Sequence, residues 1–149
     1  MRLVLSIRPT KYYVEEPYEH TLQQKYTIYK EFDNGFHYLH KKENGEWVVG
    51  AHQGCRYDGV TKWRDREIFL KGALVHDILH WLIDDGYISP YDNNKIDAEL
   101  EIVILSSNLD YPWWRGGRPV LRLRARAIRC ATNMVDQKVH ENKRIIIIP

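Results

Sequence analysis

Two histidines and an aspartate lie in the apolar stretch Leu74 to His80, LVHDILH. His76 and His80 are four residues apart, so on a helix both rings lie on one side and can bind the same metal ion. On a helical wheel Asp77 and Asp84 fall within the same arc of about 100°. This pattern is typical either of a metal or acid-base site or of the polar side of an amphipathic helix.

The metal interpretation has a local resemblance to the HExxH zinc peptidases, because HDILH has their histidine spacing with aspartate in place of glutamate. In the glutamate zincins a third ligand comes from a following helix. Glu99 stands at a similar spacing after His80, so this resemblance implies His76, His80 and Glu99 as zinc ligands. Asp77, being one methylene shorter than glutamate, would take the place of the general base.

A second local resemblance is to the secreted phospholipases A2. In those enzymes a helical histidine activates water, the adjacent aspartate holds calcium, and an aspartate of the next helix faces the histidine. Here His76, Asp77 and Asp97 correspond to these residues, although the chain lacks the many cysteines and the glycine-rich calcium loop of that family. Together with Asp58, the carboxylates of Asp77 and Asp97 also suit a hard cation such as calcium or magnesium.

The same residues also permit a purely structural hypothesis. His76 on one helix could hydrogen-bond Asp97 on the next, while Asp77 binds backbone amides of the Asp58-Gly59 turn. A buried polar network of this kind would hold the helices and the sheet in one packing arrangement.

The first part of the chain has the pattern of an antiparallel sheet. Residues 3–7 alternate as a strand does, and 9–20 have the composition of a loop. From Lys25 to His52 three β-prone runs are separated by turns at 33–35 and at Asn44-Gly45, and Asn-Gly is a strong hairpin signal. We therefore predict a β-meander through about residue 52.

Helices are predicted for the rest of the chain. Residues 66–85 carry an apolar arc of about 200°, and Gly86 stands where a left-handed helix cap belongs. A second helix is predicted from Asn93 or Asn94 and a third from Pro119, a residue favoured in a first turn. The expected fold class is α+β, with an N-terminal antiparallel β-meander, a bundle of about three helices and a β-prone C-terminal tail.

Composition indicates one folded domain. The chain has 149 residues, of which 44% are hydrophobic and 28% charged, and these values are ordinary for globular proteins. We divide it into a strand-rich part (1–56), a helical part (57–140) and a tail (141–149). Cys55 and Cys130 are predicted to be buried, unpaired thiols. The sequence has no long apolar run and no signal peptide pattern, so we expect neither a membrane span nor secretion by that route.

Three further surfaces are candidates for contacts. Trp113 and Trp114 lie in a predicted loop, and large aromatic residues are frequent in protein interfaces. The β-branched run Ile145, Ile146, Ile147 and Ile148 predicts a strand that needs a partner. An arginine stripe in the third helix could bind phosphate or pair with acidic residues; it consists of Arg118, Arg122, Arg126 and Arg129. With a net charge of only +2, nucleic acid is an unlikely partner.

The order of motifs YDGVT, GALVHDILHWLIDDGYI and KIDAEL, followed by an arginine-bearing helix, resembles a family of phage and prophage proteins that is known as a domain of unknown function. The resemblance covers about half of the chain, from Tyr57 to roughly Arg129. It implies that Asp58, Gly59, His76, Asp77 and Asp97 are the family's characteristic positions. The family more often has an aromatic residue where this chain has His80, which disfavours the zincin interpretation.

These observations lead to three functional hypotheses. The first is a phage-encoded, virion-associated structural or assembly protein without a cofactor, located in the virion or the host cytoplasm, whose partners are other virion proteins or copies of itself. The alternative is a hydrolase that depends on a divalent metal (calcium, magnesium or zinc) and uses His76, Asp77 and Asp97. A weaker alternative is a phosphate or nucleic-acid binding module that uses the arginine stripe.

Overall fold

A computed structural model of the chain describes residues 3–5, 12–57, 67–106 and 117–144. Within these ranges an antiparallel β-region precedes three helices, so the α+β prediction is confirmed. The strands are β1 (Leu3–Leu5), β2 (Tyr12–Val14), β3 (Tyr18–Thr21), β4 (Phe32–Asp33), β5 (His37–Lys41), β6 (Trp47–Ala51) and β7 (Arg56–Tyr57). The helices are α1 (Glu67–Asp84), α2 (Asn93–Ser106) and α3 (Gly117–Arg144).

The described strands form two antiparallel sheets. One has the order β3-β6-β5-β4 and the other the order β1-β2-β7. Strands β5 and β6 make the hairpin that Asn44-Gly45 predicts, and Gly45 has a φ of +86°. This backbone conformation is one that glycine adopts at little cost.

Two sequence-based predictions for the β-region are wrong. Of the strand predicted at 25–32, only Phe32 lies in a strand, β4. The backbone before it bonds to the α1–α2 connection instead: Tyr29 N donates to Tyr87 O at 3.0 Å, and Ser89 N donates to Thr27 O at 2.9 Å. Residues 12–14 and 18–21 lie in strands, although a loop was predicted there. Strand β2 pairs with its neighbour β1 and with the distant β7, and β3 pairs with the distant β6; local composition carries no signal for these distant pairings.

The helices follow the predicted pattern with shifted ends. Gly86 has a φ of +78° and donates its N–H to Ile83 O at 3.0 Å, as expected of a helix cap. Before α2, Ser89 caps a short 3-10 turn at Pro90–Asp92. The third helix is longer than predicted, since it begins at Gly117 and continues past residue 140 to Arg144.

The core lies between the sheets and the helices. Helix α1 packs against β6 and α2, and α2 packs against α3. Fully buried side chains come from all of these elements. They include Val49 of β6, Leu74, Ile78 and Leu82 of α1, Ile96 and Ile104 of α2, and Ala125 of α3. This packing places the side of α1 that carries His76 next to α2.

Gly72 allows α1 and α2 to approach closely. A Cβ at this position would lie 2.8 Å from Leu100 Cδ1, 2.9 Å from Ile104 Cγ1 and 3.3 Å from the carbonyl oxygen of Leu100. We expect Gly72→Ala to lower the free energy of unfolding by about 1–2 kcal/mol, because overpacking here outweighs the better helix propensity of alanine. Urea denaturation measures the change. An increase of about 1 kcal/mol in the free energy of unfolding, which helix propensity alone predicts, would contradict this description of the contact.

Candidate functional site

His76 of α1 contacts two side chains at one edge of its ring. Its Nε2 lies 3.3 Å from Asp97 Oδ1 of α2 and 3.3 Å from Nε2 of His80, one turn further along α1. The His76 side chain is 12% exposed and that of Asp97 only 4%. The structure thus brings together three residues that the sequence singles out, and the contact between His76 and Asp97 joins the two helices.

Asp77 lies at the other edge of the His76 ring. The distance from His76 Nδ1 to Asp77 Oδ1 is 3.6 Å, and the Asp77 side chain is 28% exposed. The negative charge of Asp77 also affects two residues at the end of the β-region, Cys55 and Tyr57. Burial and then the negative charge of Asp77 raise the pKa of Cys55 to about 11, and the same two causes raise the pKa of Tyr57. The Cys55 thiol is therefore neutral at physiological pH.

The two carboxylates decide the charge of His76. Burial alone disfavours the imidazolium, but hydrogen bonds and Coulomb attraction from Asp77 and Asp97 outweigh burial and raise the pKa of His76 to about 9. At neutral pH the ring is therefore positively charged between two carboxylates. A group in this state is an ion-pair partner rather than a proton acceptor.

Glu99 is separate from this cluster. Asp97 and Glu99 are two residues apart on α2, so their side chains point in directions about 200° apart. Glu99 is fully buried, with its Oε1 2.6 Å from Nε2 of His20. It also accepts the backbone N–H groups of Gln23 and Gln24, each at 2.9 Å. The structure therefore brings Asp97, and not Glu99, to the histidines, and the zincin ligand set is divided between two places.

No group of three or more His, Cys, Asp or Glu side chains within the described ranges has the arrangement of a metal site. Asp58, the further carboxylate expected for a calcium or magnesium site, lies outside the described residues, as do the contact candidates Trp113, Trp114 and Ile145 to Ile148.

The arginine stripe lies on α3. Arg126 Nε is 3.5 Å from Glu101 Oε1, and Arg129 Nη1 donates to Glu101 Oε2 at 3.0 Å. Arg118 and Arg122 are exposed and have no ion pair in the part of the chain that the structure describes. Half of the stripe thus pairs with α2, as the internal-pairing interpretation predicts, and phosphate binding by the other half stays a prediction.

The cysteines are both free, as predicted, but only one of them is buried. Cys55 lies in the core beside the sheet, whereas Cys130 is exposed on α3. Cys130 follows Arg129 on the side of α3 that faces away from the buried positions Ala125 and Ile128.

Sequence reasoning missed an organised polar cluster on the outer face of the four-stranded sheet. Tyr38 lies across Gly50, where a Cβ would come within 2.2 Å of its ring, and its ring contacts His40 and His52 at centroid distances of 5.0 and 4.9 Å. Both histidines face Asp33, with Nε2 to Oδ distances of 3.5 Å and 3.1 Å respectively. The alternation of β5, HYLHK, places Tyr38 and His40 on one face, but the contribution of His52 depends on strand register.

None of the helices within the described ranges combines the length and the apolar composition that are needed to cross a membrane. A scan of the chain against protein-family models, a search of curated proteins and a search of solved structures find no match. The phage-family resemblance therefore stays a prediction.

Proposed function

We propose that this chain is a phage-encoded structural or assembly protein of the virion, in which the His-Asp cluster (His76, Asp77 and Asp97) is an internal clamp between α1 and α2. The observation that supports the clamp is the position of His76, which is almost buried and contacts Asp97 at 3.3 Å and Asp77 at 3.6 Å. The phage origin rests on the family resemblance of the sequence.

The charge of the cluster favours a clamp over catalysis. A general base works best with a pKa near the working pH, whereas the pKa of His76 is raised to about 9. Removing one partner of such a buried ion pair leaves an uncompensated charge, so the pair resists separation of the two helices. The clamp thus gives a rigid scaffold, and the function would reside on its outer surfaces.

Those outer surfaces would bind other virion proteins or further copies of this chain. Among the described residues, Tyr91 and Leu123 are exposed large hydrophobic side chains, 92% and 68% accessible respectively. The sequence adds the Trp113-Trp114 loop and the isoleucine run at the C-terminus as further contact candidates. Large aromatic side chains and unpaired strands are both common means of protein association.

Association with particles tests this proposal. Virions would be purified from the phage or induced lysogen that encodes the chain, and the protein would be quantified in them by mass spectrometry. We expect a fixed copy number that survives a high-salt wash, and loss of intact particles when the gene is deleted. Deletion that leaves particle yield, morphology and protein content unchanged would refute the proposal.

A divalent-metal hydrolase is the second candidate, and one observation favours it. The almost buried Asp97 holds one edge of the His76 ring, while the other edge faces the more exposed Asp77. Orientation of a histidine by a buried carboxylate is common in acid-base catalysis. If a metal binds, Asp77 would supply a carboxylate ligand, and the cation would lower the pKa of the adjacent His76.

Elemental analysis of the native protein and of Asp77→Asn separates the two candidates. We expect no stoichiometric calcium, magnesium or zinc in either protein. Stoichiometric metal in the native protein that is lost in Asp77→Asn, with an unchanged far-UV spectrum, would contradict the clamp and support the hydrolase.

A further inference from the structure

A cavity of about 500 Å³ lies where the four-stranded sheet, the β6–β7 connection and α1 meet. The side chains that matter for its chemistry belong to Asn34, Phe36, His37, Arg56 and Trp81. This volume is within the usual range for sites that bind small molecules. None of these residues belongs to the His-Asp cluster.

The apolar part of the cavity is aromatic. The Trp81 ring packs against the His37 ring at a centroid distance of 4.9 Å, and the His37 ring in turn contacts Phe32 at 5.2 Å. Phe36 is 57% exposed, so its ring is accessible to a ligand. Aromatic walls of this kind favour a flat ring, since stacked and edge-to-face ring pairs add to the gain from burial.

The polar part of the cavity consists mainly of groups with unused hydrogen-bonding capacity. Asn34 Oδ1 already accepts the backbone N–H groups of Phe36 and His37, both at 2.9 Å, so its Nδ2 remains as a donor. His37 is only 8% exposed, so it contributes its ring to the wall; its Nε2 is buried and has no hydrogen-bond partner among the described residues. Arg56 is exposed and forms no ion pair with the residues that the structure describes.

We propose that this cavity binds a small planar aromatic molecule with one negatively charged substituent. The ring lies against Trp81 and Phe36, a polar atom of the ligand accepts a hydrogen bond from Asn34 Nδ2, and the anionic group pairs with Arg56. The negative charges of Asp33 and Asp85 act on His37, so an anion is repelled from that end and directed toward Arg56. This site is independent of the proposed assembly function.

Three probes separate the contributions of ring and charge. Indole-3-acetate has both features, indole has the ring alone, and cyclohexanecarboxylate has the charge without an aromatic ring. Binding would be followed by amide chemical shifts in two-dimensional NMR of the full chain. We expect indole-3-acetate to bind with a dissociation constant of about 1 mM or lower, an ordinary efficiency for a ligand of this size. The shifts should be confined to residues around the cavity.

Variants at the cavity test each contact. Arg56→Gln should weaken indole-3-acetate about five-fold and leave indole unchanged, because only the former has a charge to pair. Phe36→Ala should weaken both aromatic probes. His37→Phe keeps the aromatic ring and removes only a buried nitrogen that the ligand does not reach, so it should fold normally and leave the affinity for both aromatic probes unchanged. Arg118→Gln is the matched control, since Arg118 is also an exposed arginine that pairs with no described acidic residue, but it lies on α3.

Several results would overturn the proposal. The first is the absence of saturable shifts up to about 10 mM indole-3-acetate, a limit well above the expected dissociation constant. The second is an equal affinity for cyclohexanecarboxylate and indole-3-acetate. The third is a set of shifted residues that lies away from the cavity. Equal weakening of indole-3-acetate by Arg56→Gln and Arg118→Gln would also overturn it, because it would indicate unspecific charge attraction.

Discussion

Replacing Glu99 with alanine is expected to lower the free energy of unfolding by about 3–5 kcal/mol, because it leaves several hydrogen-bonding groups without an acceptor at about 1–3 kcal/mol each. Glu99 is fully buried and holds the segment after β3 against α2 through His20, Gln23 and Gln24. The alanine variant leaves two backbone N–H groups and the His20 ring without their acceptor. Urea denaturation followed by circular dichroism measures the loss.

Glu101→Ala is the matched control, because it removes a carboxylate from the same helix. Glu101 pairs with the more exposed Arg126 and Arg129, so its loss should cost about 1 kcal/mol or less. Glu99→Gln should fall between the two, since the amide keeps one acceptor oxygen but places a donor opposite the backbone N–H of Gln23 or Gln24. Equal effects of Glu99→Ala and Glu101→Ala would refute the structural role of Glu99.

The second large effect is a dependence of stability on pH. His76 should contribute about 3 kcal/mol to the free energy of unfolding below pH 6.5 and lose this contribution as the pH rises to 9. The sign follows from the pKa, which is raised in the folded protein to about 9 from its ordinary value near 6.5. Between these values the unfolded chain releases the proton and the folded chain retains it, so rising pH favours unfolding.

The measurement is a series of denaturation curves from pH 5.5 to 9 for the native chain and for His76→Gln. The native protein should lose stability relative to the variant as the pH rises. Burial lowers the pKa of His37, which acts in the opposite direction near pH 6, but His37 is present in both proteins and cancels in the difference. Parallel curves for the two proteins would show that His76 is not a protonated clamp.

Local patterns were sufficient for the helices. The apolar arc of α1 and the glycine at its end predicted its limits to within one residue, since helix periodicity and capping depend on neighbours in sequence. The pairing of the strands was harder to predict from the sequence. Strand β3 pairs with residues more than 25 positions away, and β2, besides its neighbour β1, pairs with the distant β7. Segment 25–31 bonds to the α1–α2 connection, so these long-range partners cannot be identified from composition.

For the candidate site, too, the positions along each helix were predictable from the sequence, whereas the contacts between elements were not. That His76 and His80 share one side of α1, and that Asp97 stands on the next helix, follows from spacing alone. The pairing of Asp97 with His76 was one of several open hypotheses, because the zincin resemblance implied Glu99 as the carboxylate beside the histidines. The cavity at His37 and Trp81 had no signal at all, since its walls come from a turn, two strand ends and a helix.

The sequence by itself determined the α+β class, the helices and the glycine turns, because each depends on interactions between residues a few positions apart. Only the tertiary structure decided which carboxylate meets the histidines. Asp97 and Glu99 point to different sides of α2, and the side that faces α1 depends on how the two helices pack around Gly72. That packing is a property of the whole core, in which long-range contacts between buried side chains outweigh local preference.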